Sequence, residues 1–391
     1  MSVRSWSGTG ASSMRSAAER WIESLSPWPD EFGLDRMHGL LEALGHPERE
    51  VQAVHVVGTN GKSTATRMIE ELLLAQAINA GAYLSPHVVS WSERIRIGGR
   101  EADFERAVER IRPAAEALGA TQFEALTAAA LAAFAAEDVS AAAVEAGLGG
   151  RLDATNVLRT VTVALTNVSL EHTDVLGSSR EAIAREKLAV IKPGCGVVLG
   201  EPEWAGLAWE LGASDVVVTS RSSLAVAQAT AEAFLGYQVD PSPARDVHLP
   251  GRLERVDERP LEIWDGAHNL DAVGYLLPRL PQREDGYVLV LSILADKDVE
   301  GMLAAFSALG RRLVATSSGH PRALDAADLA GLARPYFEEV EVIADPTAAR
   351  ALARELAGTD GAVLASGSLY LLLALADVRS SYVPWDASAS E

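Results

Sequence analysis

The sequence has a single cysteine, few basic residues and no long apolar run. With Cys195 alone, no disulfide can form within the chain, which fits a reducing compartment. Lysine and arginine number 34 against 54 aspartates and glutamates, so the net charge is -20. This deficit of positive charge argues against non-specific binding to nucleic acid or to a membrane surface. If the substrates are anions, individual lysines and arginines near motifs must supply the positive charge.

Membrane-spanning and secretory patterns are also not apparent. The most apolar stretch, Leu126–Ala136, is too short to cross a bilayer. The first 16 residues are rich in serine and glycine and lack the apolar centre of a signal peptide. We therefore expect a cytoplasmic protein whose residues 1–18 form a disordered tail.

The length of the chain and its alternating patterns predict two α/β domains. At 391 residues the chain is long for one hydrophobic core, and its composition, 48% hydrophobic and 23% charged, is typical of a globular protein. Apolar β-type runs alternate with helical patterns, which predicts mostly parallel sheets covered by helices. We expect an N-terminal P-loop parallel-sheet domain, residues 1–245, and a C-terminal Rossmann-like domain, residues 255–391. From Thr219 to Leu249 the pattern is weak. Strand candidates in the second domain are Leu261–Trp264, Val288–Ser292, Leu313–Thr316, Val340–Ile343 and Ala362–Ala365.

A glycine-rich loop, Gly58 to Ser63, lies between the apolar run Val51–Val57 and an amphipathic helical pattern. The usual phosphate loop, G-x-x-x-x-G-K-S/T, would place a glycine at Val56 instead. Backbone N–H groups at the start of a helix bind phosphate, and Lys62 would neutralise its charge. The alternative is an ordinary turn with an exposed lysine. Gly81 suits the C-cap of the helix that follows the loop.

Polar residues follow three further apolar strands: Glu145, His172 and Asp265. Ligands of α/β proteins bind at the carboxyl ends of parallel strands. Glu145 could therefore hold a phosphate-bound Mg²⁺, Asp265 could meet a ribose or base, and His268 could lie near phosphates. Taken singly, each is as well explained by a strand-end charge in water or by a structural histidine.

These motifs belong to an ordered set that resembles the folylpolyglutamate synthase/dihydrofolate synthase family of the Mur ligase superfamily. From about residue 32 to 373 the matching stretches are FGLDRMHGLLEALGHPE, VVGTNGKST, YLSPHVVSWSERIRI, FEALTAAALAAF, VEAGLGGRLDATNV, EHTDVLG, IAREKLAVIKPG, PGRLE, WDGAHN, ILADKD and SGSLYLL. Members of the superfamily use G-T-N-G-K with its glycine where Gly58 stands, which explains the altered spacing.

The resemblance implies an ATP-dependent amide ligase of folate biosynthesis and one-carbon metabolism, with its active site in the cleft between the domains. ATP phosphorylates a pterin-linked carboxylate, and the amine of L-glutamate attacks the resulting acyl phosphate. The implied cofactors are ATP, two Mg²⁺ ions and a monovalent cation, in a monomer that binds small molecules rather than nucleic acid or membrane. The alternatives are a Mur-type ligase for another carboxylate, which the GKST loop favours, and a nucleotide-binding protein that has lost catalysis.

The resemblance also implies roles for individual residues. Those implied to bind the nucleotide are Gly58, Thr59, Asn60, Gly61, Lys62, Ser63, Arg252 and Asp265. Metal ligands are Ser85 and Glu145 at one Mg²⁺ and His172 at the other, beside Lys187, which the family carries as a carbamate (N6-carboxylysine). Those placed at the pteridine are Phe123, Glu124, Leu152, Asp153 and Ala154. Residues implied in catalysis are Lys62, Lys187 and His268.

The sequence departs from the family pattern at several positions. Ser63 stands where many members have glycine, LEHT replaces LDHT, and SERI replaces NERI. The segment between Lys187 and Arg252 is short, and Gln228 lies near the place of an asparagine that usually contacts ATP. We do not carry that contact over to Gln228, so adenine recognition and amino-acid selectivity are left open.

Overall fold

A computed structural model describes residues 16–29 and 31–376, in which strands and helices alternate along the chain. The strands are β1 Gln52–Val57, β2 Ala80–Tyr83, β3 Ile95–Ile97, β4 Arg100–Glu101, β5 Ala141–Glu145, β6 Thr160–Leu165, β7 Gly196–Leu199, β8 Asp215–Val218, β9 Glu254–Glu258, β10 Leu261–Trp264, β11 Val288–Leu291, β12 Arg312–Ala315, β13 Glu339–Val342 and β14 Ala362–Ser366. The predicted α/β fold class is confirmed.

The helices, like the strands, are given for the described residues. They are α1 Ala17–Ser24, α2 Asp35–Ala43, α3 Lys62–Ala75, α4 Phe104–Leu118, α5 Gln122–Ala136, α6 Thr173–Leu176, α7 Arg180–Leu188, α8 Ala205–Glu210, α9 Ser223–Leu235, α10 Ser242–Arg245, α11 Leu270–Leu276, α12 Val299–Phe306, α13 Ala326–Ala333, α14 Pro346–Ala357 and α15 Leu369–Leu375. Short 3-10 helices span Pro47–Arg49, Trp91–Arg94, Ala154–Val157, Pro202–Trp204, Leu277–Arg279 and Ser307–Leu309. Within these residues, no helix combines the length and the apolarity that a membrane crossing requires.

The first sheet is built around β1, the strand that leads into the glycine-rich loop Gly58–Ser63, here called the phosphate loop after its predicted role. Its strand order is β4-β3-β2-β5-β1-β6-β7-β8, parallel from β2 to β8 with β3 and β4 as an antiparallel edge. Side chains alternate across a strand, so Ala53 packs with the cluster under α4 and α5, while Val54 and Val56 pack against α3 and α9. Burial on both faces explains why β1 is apolar almost throughout.

The second sheet repeats this plan on a smaller scale, in the order β13-β12-β11-β14-β10-β9. Its strands are parallel except for β9, which pairs with β10 in antiparallel fashion. Leu289 and Leu291 face a core with α11, α12 and α13, whereas Val288 and Val290 face α14 and α15. The five strands predicted in this half are all present, within a residue of their predicted ends.

The prediction that Gly81 caps a helix is wrong. Helix α3 ends at Ala75 with Gln76 as its C-cap, and Gly81 lies inside β2. A Cβ atom at Gly81 would lie 2.7 Å from the ring of Phe134 on α5. The glycine is therefore required by close packing of helix against sheet, a need that local sequence does not reveal.

The helices α1 and α9 were also not predicted. The segment with a weak pattern, 219–249, contains α9, which packs against α3 and the first sheet. Its alanine-rich sequence is apolar around much of its circumference, so no amphipathic stripe marks it. Residues 1–15 of the predicted tail, 1–18, lie outside the described residues. The prediction is wrong for Ala17 and Ala18, which belong to α1, a helix capped by Ser16.

Candidate functional site

A cavity of about 1310 Å³ is lined by residues from both halves of the chain. Most of the predicted site residues line it: Thr59, Asn60, Gly61, Lys62, Ser63, Ser85, Phe123, Glu124, Glu145, Leu152, Asp153, Ala154, His172, Arg252, Asp265 and His268. Gly58 and Lys187 are not in its wall. They lie behind it, in contact with each other, because Lys187 Nζ donates to the Gly58 carbonyl at 2.9 Å.

The loop between β1 and α3 is fixed by the two residues that follow β6, Thr166 and Asn167. Gly58 has φ 147°, and a Cβ there would collide with the Thr166 hydroxyl. Thr166 Oγ1 and Asn167 Nδ2 donate to the Asn60 carbonyl at 2.7 and 3.0 Å. Lys62 Nζ folds back onto the carbonyls of Gly58 and Thr59, at 3.1 and 3.2 Å. The loop thus presents a flexible cationic side chain and the first N–H groups of a 14-residue helix to the cavity.

A buried carboxylate lies beside this loop, at the end of β5. Glu145 accepts from the Ser63 hydroxyl and from the Ser85 N–H, both at 3.0 Å, and is 2% exposed. Burial raises its pKa, an effect that the charge of Lys62 opposes. A buried carboxylate beside one serine hydroxyl and one backbone N–H fits a hard cation with oxygen ligands, because such an ion would compensate its charge.

His172 and Glu171 form a second polar group at the start of α6. His172 adopts the left-handed conformation, φ 49°, and its Nε2 lies 3.3 Å from Glu171 Oε1. Burial alone would raise the pKa of Glu171, but the hydrogen bond to His172 and nearby cations outweigh it and hold the pKa well below its ordinary value. Sequence reasoning noted this glutamate only as a departure from the family, not as a site residue.

Lys187 on α7 is almost completely buried, at 3% exposed. Burial and, after it, the charge of Lys62 lower its pKa to about 7, so a large share of its amine is neutral near physiological pH. An ammonium does not fit beside a divalent cation, whereas a carbamate on the same nitrogen would. In residues 16–29 and 31–376, no three His, Cys, Asp or Glu side chains converge as a metal-binding group.

The C-terminal half contributes Arg252, Asp265 and His268 to the opposite wall. Asp265 is fixed by the N–H groups of Leu253 and Ala267, each at 2.8 Å, and burial raises its pKa. His268 Nδ1 donates to the Gly266 carbonyl at 2.9 Å, which leaves Nε2 toward other partners. Burial lowers the pKa of His268, which favours the neutral ring.

The predicted pteridine residues form a third wall. The ring of Phe123 lies 6.0 Å from that of Tyr83, and a Cβ at Gly147 would collide with it. Asp153 accepts from the N–H groups of Leu148 and Thr155, at 2.8 and 3.0 Å, and burial raises its pKa. Ala154 is buried beside Asp153, and Leu152 is 38% exposed.

The carboxylate of Glu124 is already engaged by other residues of the protein. It completes the capping box of α5 with Thr121 and pairs with Arg36 Nε at 3.0 Å. Gln228 is likewise occupied, because its side-chain amide donates to Glu232 Oε1 at 3.0 Å on the same helix. It is not a lining residue of the cavity among those described.

Contacts between the two halves were not predicted. Asn60 of the phosphate loop bonds to Asn269 and to Asp271, at the start of α11. Arg221 donates to Asp271 at 3.1 Å and lies 3.3 Å from Glu201. The sequence signal was partial: Asn269 ends the DGAHN stretch, but nothing in the sequence places Arg221 next to it.

Comparisons with known proteins identify both halves. The Mur ligase middle domain matches residues 56–200, and the Mur ligase glutamate ligase domain matches residues 251–369. A dihydrofolate synthase/folylpolyglutamate synthase of Mycobacterium tuberculosis is 32% identical over 388 residues, covering 79% of this chain and 80% of the relative.

Two solved structures extend the likeness to the whole fold. The Escherichia coli FolC in complex with DHPP and ADP has a TM-score of 0.82 at 28% identity, covering 92% of this chain and 96% of that one. The bifunctional folylpolyglutamate synthase/dihydrofolate synthase of Yersinia pestis, complexed with AMPPNP and Mn ion, has a TM-score of 0.78 at 32% identity, covering 92% and 96%.

Proposed function

Because the chain belongs to the dihydrofolate synthase/folylpolyglutamate synthase family of the Mur ligases, we propose that it is an ATP-dependent ligase that adds L-glutamate to dihydropteroate, to reduced folates or to both. One observation carries the proposal: the phosphate loop, the buried Glu145 and the wall of Phe123 and Asp153 surround one cavity. That cavity has room for a nucleotide end to end with a pterin-linked acid.

The reaction needs the carboxylate of the acceptor to become a better acyl donor. A carboxylate oxygen bonds to the γ-phosphorus as the bond from that phosphorus to ADP breaks, and the amine of L-glutamate then displaces phosphate from the acyl carbon. Lys62 leaves the carbonyls of Gly58 and Thr59 to neutralise phosphate charge. Arg252 and Asp265 reach the nucleotide from the second domain, and His268 lies near the transferred phosphate with its ring neutral.

Divalent ions bind on the same side as the phosphates. Glu145 and Ser85 would hold one ion, and His172 with carbamylated Lys187 would hold the other; a monovalent cation is a further candidate. Bound Mg²⁺ supplies positive charge to the phosphates and fixes their orientation. The support on the protein side is a buried carboxylate that accepts from the Ser63 hydroxyl and the Ser85 N–H, and a lysine whose pKa is low enough for its amine to react with CO₂.

L-glutamate brings two carboxylates to a protein with a net charge of -20 and therefore requires local cations. Lys297, His320 and Arg322 line the cavity on its C-terminal side. Lys297 and Arg322 share a single carboxylate, that of Asp296, at 3.2 and 3.3 Å, so this patch keeps an excess of positive charge. We assign the amino-acid substrate to this side of the cavity.

We further propose that the boundary between the two domains lies at residues 245–255 and that the protein acts as a monomer.

The test follows ADP release with L-glutamate and each acceptor in turn: dihydropteroate, tetrahydrofolate and a UDP-muramyl acid. ADP formed with a pterin acid and glutamate together, but with neither alone, is the expected result. Lys62→Ala serves as the inactive control. Turnover with the UDP-muramyl acid and with no pterin would refute the folate assignment, and ATP binding without turnover on any acceptor would favour a protein that has lost catalysis.

A further inference from the structure

Arg94 is a buried cation in the wall of the cavity. It ends the 3-10 helix Trp91–Arg94 and is 7% exposed. Its Nε donates to His87 Nδ1 at 3.0 Å, and its guanidinium carbon lies 4.8 Å from the centre of the Trp91 ring. These contacts fix the position and plane of the guanidinium but bring no negative charge to it.

In the described part of the chain, no carboxylate forms a salt bridge with Arg94. The two carboxylates whose charges act on Arg94 are hydrogen-bonded to other groups: Glu93 accepts from the N–H groups of Val88, Val89 and Ser90, and Glu145 accepts from two serines. A guanidinium stays protonated in proteins, and a buried charge that no carboxylate pairs with directly is costly. The terminal N–H groups of Arg94 therefore fit an anion that arrives with a ligand.

The surroundings of Arg94 show where that anion would lie. Arg94 interacts electrostatically with Glu145, which adjoins the phosphate loop through Ser63. It also interacts with the hydroxyl of Tyr83, whose ring centre lies 6.0 Å from that of Phe123 in the pteridine wall. A group held by Arg94 thus lies between the phosphates and the pterin.

We propose that Arg94 binds the carboxylate of the acceptor that is to be phosphorylated. This rests on the proposed function, since dihydropteroate carries its single carboxylate at the end remote from the pterin. The paired N–H groups of a guanidinium match two carboxylate oxygens, so Arg94 both offsets the charge and fixes the oxygen that faces the γ-phosphate. Nucleotide binding in the absence of acceptor does not depend on it.

The experiment compares dihydropteroate with its primary carboxamide, which has nearly the same shape and no charge. Calorimetry in the presence of MgADP gives the ratio of the two dissociation constants for each variant. We expect wild type to prefer the carboxylate at least 20-fold and Arg94→Gln to bind both ligands within two-fold of each other, with unchanged MgADP affinity. Arg94→Gln that keeps the wild-type ratio would overturn the proposal.

Arg96→Gln is the matched control, because Arg96 lies two residues away, pairs with Glu70 and does not line this cavity. It should keep the wild-type ratio. If Arg94→Gln does not fold, Arg94→Lys decides: at least a five-fold loss for dihydropteroate with no loss for the amide supports the proposal, and no change for either ligand refutes it. If the protein binds reduced folates but not dihydropteroate, the same comparison is made with tetrahydrofolate and its γ-carboxamide. Wild type that binds no pterin acid would contradict the proposed function itself.

Discussion

Asn60 of the phosphate loop and Asn269 at the start of α11 exchange two side-chain hydrogen bonds across the domain boundary. Asn60 Nδ2 donates to Asn269 Oδ1 at 3.3 Å, and Asn269 Nδ2 donates to Asn60 Oδ1 at 3.1 Å. Asp271 Oδ2 also accepts from Asn60 Nδ2, at 3.0 Å. The second domain therefore contacts the phosphate loop directly, so that the position of one domain bears on the shape of the other's binding site.

Asn269→Ser should lower turnover about 5- to 30-fold. A serine still caps α11, but it is too short to reach Asn60, and the two hydrogen bonds that it cannot form are together worth about 1–2 kcal/mol. The rate of ADP release at saturating substrates measures this effect. Thermal melting should stay close to that of wild type, and turnover unchanged by the substitution would mean that the amide pair has no part in the active arrangement.

Lys62→Ala should weaken MgATP binding, because it removes charge-assisted hydrogen bonds to the phosphates that are each worth roughly 1.5–3 kcal/mol. Calorimetry with MgATP measures the affinity directly. Lys192→Ala is the control, because Lys192 bonds to Asn156 and does not line the cavity among the residues described. Equal affinities for Lys62→Ala and wild type would show that this loop is not the phosphate site.

Lys187→Ala should be nearly inactive, and acetate should restore part of its turnover. The neutral amine of Lys187, with a pKa of about 7, is the form that reacts with CO₂, and the product carries two acceptor oxygens in place of a cation. A ¹³C-carbonate NMR spectrum of wild type should show a carbamate resonance. Acetate should not rescue Lys62→Ala. Wild-type turnover by Lys187→Ala would show that catalysis does not require a carbamate at this position.

Stability should fall in acid because of His55 on β1. His55 is fully buried; burial, followed by the charge of Lys192, lowers its pKa from 6.5 to about 3. Below pH 6.5, His55 binds a proton in the unfolded chain but not in the folded protein. The free energy of unfolding therefore decreases as the pH falls from 6.5 toward 3. The full difference corresponds to about 5 kcal/mol, of which about 2–3 kcal/mol is lost by pH 4.5.

Urea unfolding at pH 7.5 and at pH 4.5 measures this loss. His55→Gln keeps a donor toward Thr155 Oγ1, which His55 Nε2 contacts at 2.8 Å. Between pH 7.5 and pH 4.5 this variant should lose about 2–3 kcal/mol less stability than wild type. His38, exposed on α2, provides the control, since His38→Gln should follow wild type. Parallel curves for wild type and His55→Gln would contradict the prediction.

The features that sequence predicted well are those with a local signal. The glycine loop, the strand that precedes it and the helix that follows it are marked by conformation and by apolar spacing, and so is the strand that ends at Glu145. Arg94, Arg221 and Asp271 carry no such signal, because their roles depend on which distant segments the fold brings beside them. Gly81 shows the same limit, since its neighbour Phe134 lies 53 positions away in the sequence.

The link between Asn60 and Asn269 has a consequence for the order in which substrates bind. Binding effects between two sites are reciprocal. If docking of the second domain raises the affinity for nucleotide by some factor, bound nucleotide raises the equilibrium constant for docking by the same factor. Lys297 and Arg322, which we propose to bind the amino acid, line the cavity from that second domain. ATP should therefore bind first and L-glutamate last, and glutamate should be a poor ligand for the enzyme on its own.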